Sequence, residues 1–279
     1  MRKAIRAALL AAMPELTGVY EPHAAGAETK KPYAVILQGA ESKDSIWVGF
    51  RQNIEIWTYV DQTTFSDLDV KVEKIKGALH QVPLQGADGQ VFTCLYSGSS
   101  SQDIRDDNWN ALTRGISFHI YALQPIVVDD TVVSDPWIDA LVEYTNKAIG
   151  SSWHVYKNSW PVGYLRPAIL WRLSTFGMTD LGCAVFNVQK KVVAHVVGHT
   201  PNEEIIGATE IFQRMATDIK IPLDLAMRRY MTVSLPAIDV KMDGFTAGQL
   251  SVTLSHRTVR PQDESPLMQR IYLKRKIKD

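Results

Sequence analysis

Only two cysteines, Cys94 and Cys183, occur among the 279 residues. They lie far apart and neither belongs to a Cys-x-x-Cys pair, which excludes a disulfide scaffold and a cysteine-rich zinc or redox centre. Both read as buried, reduced thiols, as expected in a reducing compartment such as cytoplasm. Excess charge is also lacking: 30 basic residues balance 30 acidic ones, so no global field draws the chain to nucleic acid or anionic lipid. No apolar run reaches the ~18–20 residues of a membrane-spanning helix. The Met1-Arg2-Lys3 start and its Ala/Leu run share features with a signal peptide. Arg6 interrupts that run and Pro14-Glu15 closes it early, so an amphipathic first helix is the expectation. Phosphate loops of the form G-x-x-x-x-G-K-[ST], G-x-G-x-x-G turns and G-x-S-x-G elbows are absent. No cofactor or metal is expected. What remains is ordinary globular composition, 46% hydrophobic and 22% charged, which excludes a disordered chain and allows one or two domains.

The main positive feature is a repeat. The same order of elements occurs twice, offset by roughly 135 residues. A helix at 2–13, with Ile5, Leu9 and Met13 on one face, corresponds to a helix at 136–149 carrying Ile138, Leu141, Val142, Thr145 and Ile149. Ser134 or Asp135 can cap the second helix, Pro136 sits where its missing N–H costs nothing, and Gly150 ends it. Each copy continues with a polar loop and a strand that starts after a basic residue and proline: Lys31-Pro32-Tyr33 and Arg166-Pro167-Ala168. A long strand follows. In the first copy Ile54, Ile56, Thr58 and Val60 share one face; in the second, residues 183–197 supply the valines. Thr64-Phe65-Ser66-Asp67 and Thr200-Pro201-Asn202-Glu203 both have capping-box spacing. The stripes behind them are Phe65, Leu68, Val72, Ile75, Leu79 and Val82, and Ile205, Ala208, Phe212, Met215 and Ile219. Two closing strands end each copy, at 91–96 and 116–123, then 230–235 and 249–258. The fold class is therefore α+β: two tandem α-β-β-α-β-β units, each a mostly antiparallel four-stranded sheet with helices on one face. The expected boundaries are 1–125, a linker at 126–134, 135–262, and a basic tail at 263–279.

Chemistry-bearing candidates are few. His195, His199 and Glu203 form an H-x-x-x-H-x-x-x-E run, but His195 lies in a strand, where residues four apart are ~13 Å apart and cannot share one metal unless the strand bends. The carboxylate pairs Asp106-Asp107, Asp129-Asp130 and Glu203-Glu204 lie in loops or at helix starts and read as turn and dipole partners. An aromatic loop holds Trp153, Tyr156 and Trp160, with Tyr164 beyond; it reads equally as an interface anchor or as a satellite core folded back over the sheet. At the C-terminus Arg270, Lys274, Arg275 and Lys276 stand out from a neutral chain, as a mobile solvated tail or as a contact for nucleic acid or an acidic partner.

The layout resembles the tail-terminator (tail-completion) proteins of long-tailed bacteriophages. The resemblance rests on Ile5-Arg6-Ala7-Ala8-Leu9-Leu10, Pro14-Glu15-Leu16, Lys31-Pro32-Tyr33-Ala34-Val35 and Asn53-Ile54-Glu55-Ile56-Trp57-Thr58-Tyr59, with the helix and closing strand that follow. The second copy matches in element order more than in residues, and a doubled chain departs from the family's usual single domain. The resemblance implies a non-enzymatic virion protein assembled in the host cytoplasm. It would form a homo-oligomeric ring, most simply a hexamer, that caps the tail tube protein, stops its polymerisation and offers a joining surface to a neck or head-completion protein, with phage DNA passing through the lumen. Two other readings stand beside it. One is a two-domain ligand- or nucleic-acid-binding module, whose mark would be a basic, aromatic strand face; Arg51/Asn53/Glu55/Trp57 is too mixed in charge to supply one. The other is an enzyme of unrecognised type, favoured by a deep pocket between the copies lined by His195 and carboxylates.

Overall fold

A computed structural model describes residues 1–87, 89–123 and 134–261. The first unit runs α1 (Arg2–Ala12), β1 (Gly18–Tyr20), β2 (Tyr33–Ser45), β3 (Gly49–Asp61), α2 (Phe65–Leu79), β4 (Pro83–Gln85), β5 (Val91–Ser99), β6 (Ile104–Asp106) and β7 (Ala111–Leu123). The second runs α3 (Pro136–Ile149), β8 (His154–Lys157), β9 (Ala168–Asp180), β10 (Val185–Val197), α4 (Pro201–Asp218), β11 (Lys220–Asp224), β12 (Arg229–Ile238) and β13 (Leu250–Val259). Most of the expected linker, the Asp129-Asp130 pair and the basic tail with Arg270, Lys274, Arg275 and Lys276 lie outside the described residues.

The two sheets have one topology. The first is ordered β1-β2-β3-β7-β5-β4, with β6 added on β7; the second is ordered β8-β9-β10-β13-β12-β11. Position by position these are the same path. The four inner strands of each are the four that the sequence pattern marks, and they pair antiparallel. The sheets are wider than the four strands expected, because short strands join both edges. β1 and β8 pair parallel to the start of β2 and β9, and β4 and β11 close the far side. Edge strands of three to five residues are too short to show a period-two pattern. Both basic-proline peptides, Lys31–Pro32 and Arg166–Pro167, are cis.

Helices α1 and α2 cover one face of the first sheet. Ile5, Leu9, Leu68, Val72, Ile75 and Leu79 bury against Ile36, Ile54, Ile56, Ile116 and Phe118. The N-terminal helix is thus part of a core. Thr64 and Thr200 both cap their helices, accepting from the amides of Asp67 and Glu203. The acids behave differently from the standard box: Glu203 takes the amide of His199, one residue before the cap, and Asp67 takes the Thr63 hydroxyl.

The stripe of α4 is rotated from expectation. Gly207, Ala208, Ile211 and Met215 are buried, while Ile205 and Ile219 are exposed. The cause is Trp153, whose ring lies so close to Gly207 that a Cβ there would stand 2.6 Å from it. The glycine lets the helix roll towards the indole. Cys94 is buried, with its thiol pushed up to about 12 by burial, whereas Cys183 is exposed, contrary to the expectation for both. It sits beside Gly182 in the β9–β10 turn, where no core is within reach.

A buried relay fixes α3 to its sheet. The Trp171 indole N–H donates to Thr145 Oγ1 at 2.9 Å, and that hydroxyl donates to the Leu141 carbonyl at 2.7 Å. Thr145→Val keeps the shape but strands the indole N–H, and should cost about 1–3 kcal/mol in urea unfolding.

Candidate functional site

The two units meet through the face of the second sheet that carries no helices. The turn at 46–48, between β2 and β3, crosses to that face. There Trp160 donates its amide to the Trp47 carbonyl at 2.8 Å, and the Trp47 indole N–H donates to the Thr246 carbonyl at 2.9 Å. Val48 and Ala122 of the first unit pack with Trp160, Tyr164, Ala168, Leu170, Val197 and Phe245 of the second. Trp160 lies parallel to Phe245, with centroids 4.9 Å apart, and donates its indole N–H to the Phe245 carbonyl at 3.3 Å. Tyr164 packs against both rings. A second bridge joins the Gln81 side chain to His199, through the latter's carbonyl and Nδ1.

The aromatic residues singled out in the sequence therefore gather mostly at this seam. Trp160 and Tyr164 are 1% and 2% exposed, which leaves them no surface for another chain. Tyr156 packs beside Trp160 and accepts from the Leu165 amide through its hydroxyl. Trp153 faces α4 instead. Half of the expected loop is strand β8. Trp47 and Phe245, the partners that complete the seam, were not among the sequence candidates, because a tryptophan in a tight turn has no pattern of its own.

His195 is the polar centre of the seam. Its Nδ1 lies 3.0 and 3.1 Å from the carbonyl oxygens of Gly244 and Phe245, so Nδ1 carries the hydrogen. Nε2 is then the acceptor, and Arg172 Nε donates to it at 2.8 Å. The Arg172 guanidinium lies over the Trp47 ring, 3.7 Å from its centroid. Burial first, and the adjacent Arg172 second, push the imidazole down to about 4; the two carbonyls and Asp243 oppose this. Both ring nitrogens are committed, and His199 turns away to Gln81, so the two histidines do not converge. Among the described residues no group of three or more His, Cys, Asp or Glu is placed to hold a metal ion.

A cleft of about 370 Å³ does open between the units. Its walls include His119, Tyr121, Arg166, Glu204 and Asp243; His195 is not among them. Arg166 donates to the Gly198 carbonyl at 2.7 Å and stands 4.0 Å from Glu204. Burial raises the Glu204 carboxyl above its ordinary range, against the lowering effects of the Gly198 amide and Arg166. Burial, then Arg51, lowers the His119 imidazole, whose Nδ1 is buried without a partner. Among the described residues its wall shows no serine–histidine or cysteine–histidine hydrogen bond; Glu204 serves the Gly198 amide and Arg166, and Asp243 accepts from the Thr246 amide and hydroxyl.

No protein-family model matches the chain, and no curated protein matches it. Among solved structures, one chain described as "Virion of native gene transfer agent (GTA) particle" aligns at a TM-score of 0.35 and 14% identity, over 43% of this chain and 92% of that one. A likeness of that size decides nothing about function.

Two outcomes follow from the seam. Trp160→Ala should cost about 3–5 kcal/mol in urea unfolding, as for a fully buried tryptophan. The unfolded chain protonates His195 near pH 6.5 and the folded chain only near pH 4. Between these values the unfolded state binds more protons, so stability falls as the pH drops through this window, by about 3 kcal/mol. Urea midpoints measured from pH 7 to pH 4 should show that slope in the native protein and lose it in His195→Gln.

Proposed function

We propose that this chain is a structural protein of a phage-type tail or neck, building a ring that caps the tail tube and offers the joining surface to the head side. The observation that carries this reading is the repeated strand order in two units joined by a buried seam. A single chain then presents two copies of a layout that resembles tail-terminator proteins, held at one angle. A cap works by shape: it must match the tube on one side and deny a further tube ring the same contact on the other. Two welded copies that differ in surface residues meet that need.

Ring contacts must come from surfaces other than the aromatic seam. Among the described residues the outer edge of β9 beyond Trp171 carries no partner strand, since β8 pairs only with Ala168 to Trp171. On it Phe176 and Met178 are 70% and 67% exposed. Such an edge is natural material for a neighbouring subunit. Its counterpart on β2 carries Glu41, Lys43 and Asp44 instead, the usual protection of an edge that stays free.

Light scattering after gel filtration, with negative-stain images of the same fractions, tests this. Ring particles of about six chain masses support a hexameric cap, and rings of about three chain masses place both units within one six-fold-like ring. Met178→Lys should shift either ring towards monomer. A monomer that also fails to stop growth of purified tail tubes overturns the proposal.

A further inference from the structure

The helix-free face of the second sheet is only partly used by the seam. Its half near Arg172 and His195 lies under the Trp47 turn. No described residue packs over the other half. Strand parity places Asn187, Gln189 and Lys191 of β10 on it, opposite Arg257, Ser255 and Thr253 of β13. The same row continues to Thr232 of β12 and Lys220 of β11. Arg228 enters from the β11–β12 turn, and with Asn187, Lys220, Thr232, Ser255 and Arg257 it lines a groove of about 580 Å³; Gln189, Lys191 and Thr253 extend the same face beyond that groove.

Two properties single out this groove. Among the described residues its wall holds no carboxylate. In addition, Lys191, Lys220, Arg228 and Arg257 are exposed and make no ion pair or side-chain hydrogen bond with any described residue. Nearby cations are neutralised: Lys190 by Asp135, Arg229 by Asp224 and Arg260 by Asp180. The four cations frame a patch about 14 Å across the strands and about 20 Å along them, from strand spacing and rise. Between them stand hydroxyl and amide side chains, which donate to phosphate oxygens. The apolar side chains of the wall are two, Leu181 from the β9–β10 turn and Tyr230, both partly exposed; polar and cationic groups make up the rest, unlike the apolar centre that protein interfaces depend on.

We infer that this face binds the phosphate backbone of nucleic acid, without reading sequence. The net neutrality of the chain hides the patch, because the acids are spent elsewhere. The inference stands apart from ring formation: a monomer presents the same groove.

The test is fluorescence anisotropy of the full-length protein with a labelled 30-base-pair duplex of arbitrary sequence, from 50 to 200 mM NaCl. Four phosphate contacts give a slope of log affinity against log salt of about −3.6. The variant K191Q/K220Q/R228Q/R257Q should lose about 3.6 units, essentially all of that slope, and at least roughly tenfold in affinity at 50 mM salt. All four positions are exposed, so its circular dichroism should match the native protein. The charge-keeping K191R/K220R/R228K/R257K should retain the slope, and so should K3Q/K43Q, which removes two exposed cations of the first unit. The inference is overturned if the native protein fails to bind at 50 mM salt, or if the quadruple glutamine variant keeps the native slope. It is also overturned if poly-L-glutamate binds the groove more tightly than the duplex, which would make an acidic protein the partner.

Discussion

The burial of the seam around Trp160 is the constraint on which the rest of the molecule depends. Two units built on one topology could each be stable alone, since each has its own helix-covered core. What joins them is a third core on the opposite side of the second sheet, where Trp160 stacks on Phe245, Tyr164 packs tilted against both, and the Trp47 turn plugs in. The Trp47 ring lies under the Arg172 guanidinium and 6.0 Å from the His195 ring, so the turn covers this polar pair. The polar pair survives in that setting because both imidazole nitrogens are matched: Nδ1–H donates to carbonyls, and Nε2 accepts from Arg172 Nε–H. The seam thus converts two similar pieces into one body with fixed relative orientation.

That orientation decides what the two copies can do separately. Covering half of the second sheet's open face leaves the other half as a flat cationic groove. The first unit's open face took a different course, with Tyr33 stacked on Tyr59 and Trp109 of the β6–β7 turn packed against Tyr59. Divergence is equally plain at the free edges. The β2 edge carries charges, and the β9 edge carries Phe176 and Met178. Duplication supplied the same scaffold twice, and substitution on the outward strand positions gave the copies different surfaces at little cost to either core.

The cleft between the units illustrates why composition of a pocket does not amount to chemistry. His119, Arg166, Glu204 and Asp243 are the residue types of many active sites. Here Arg166 is engaged with the Gly198 carbonyl and Glu204 with the Gly198 amide, so both stabilise the turn that leads into α4. The raised Glu204 carboxyl follows from burial beside that turn. An arrangement in which the charged groups satisfy the backbone describes a joint between units.

Local chemistry along the chain determined a great deal by itself. The caps at Thr64, Asp135 and Thr200, the stop at Gly150, the strands opened by Pro32 and Pro167, and the repeat that relates them are all written in short-range spacing, which acts before any tertiary contact forms. The inner four strands of each sheet carry enough alternation to be legible for the same reason. Tertiary structure decided the rest. Edge strands β1, β4, β8 and β11 exist because a longer neighbour offers hydrogen bonds. The face of α4 turned because Trp153 found Gly207. Trp160 and Tyr164 became a seam because Trp47 and Phe245, more than eighty residues away on either side, closed over them. The four free cations form one surface because β10, β11, β12 and β13 align in register. Each of these depends on residues distant in sequence, and no spacing within a single segment records which partner will arrive.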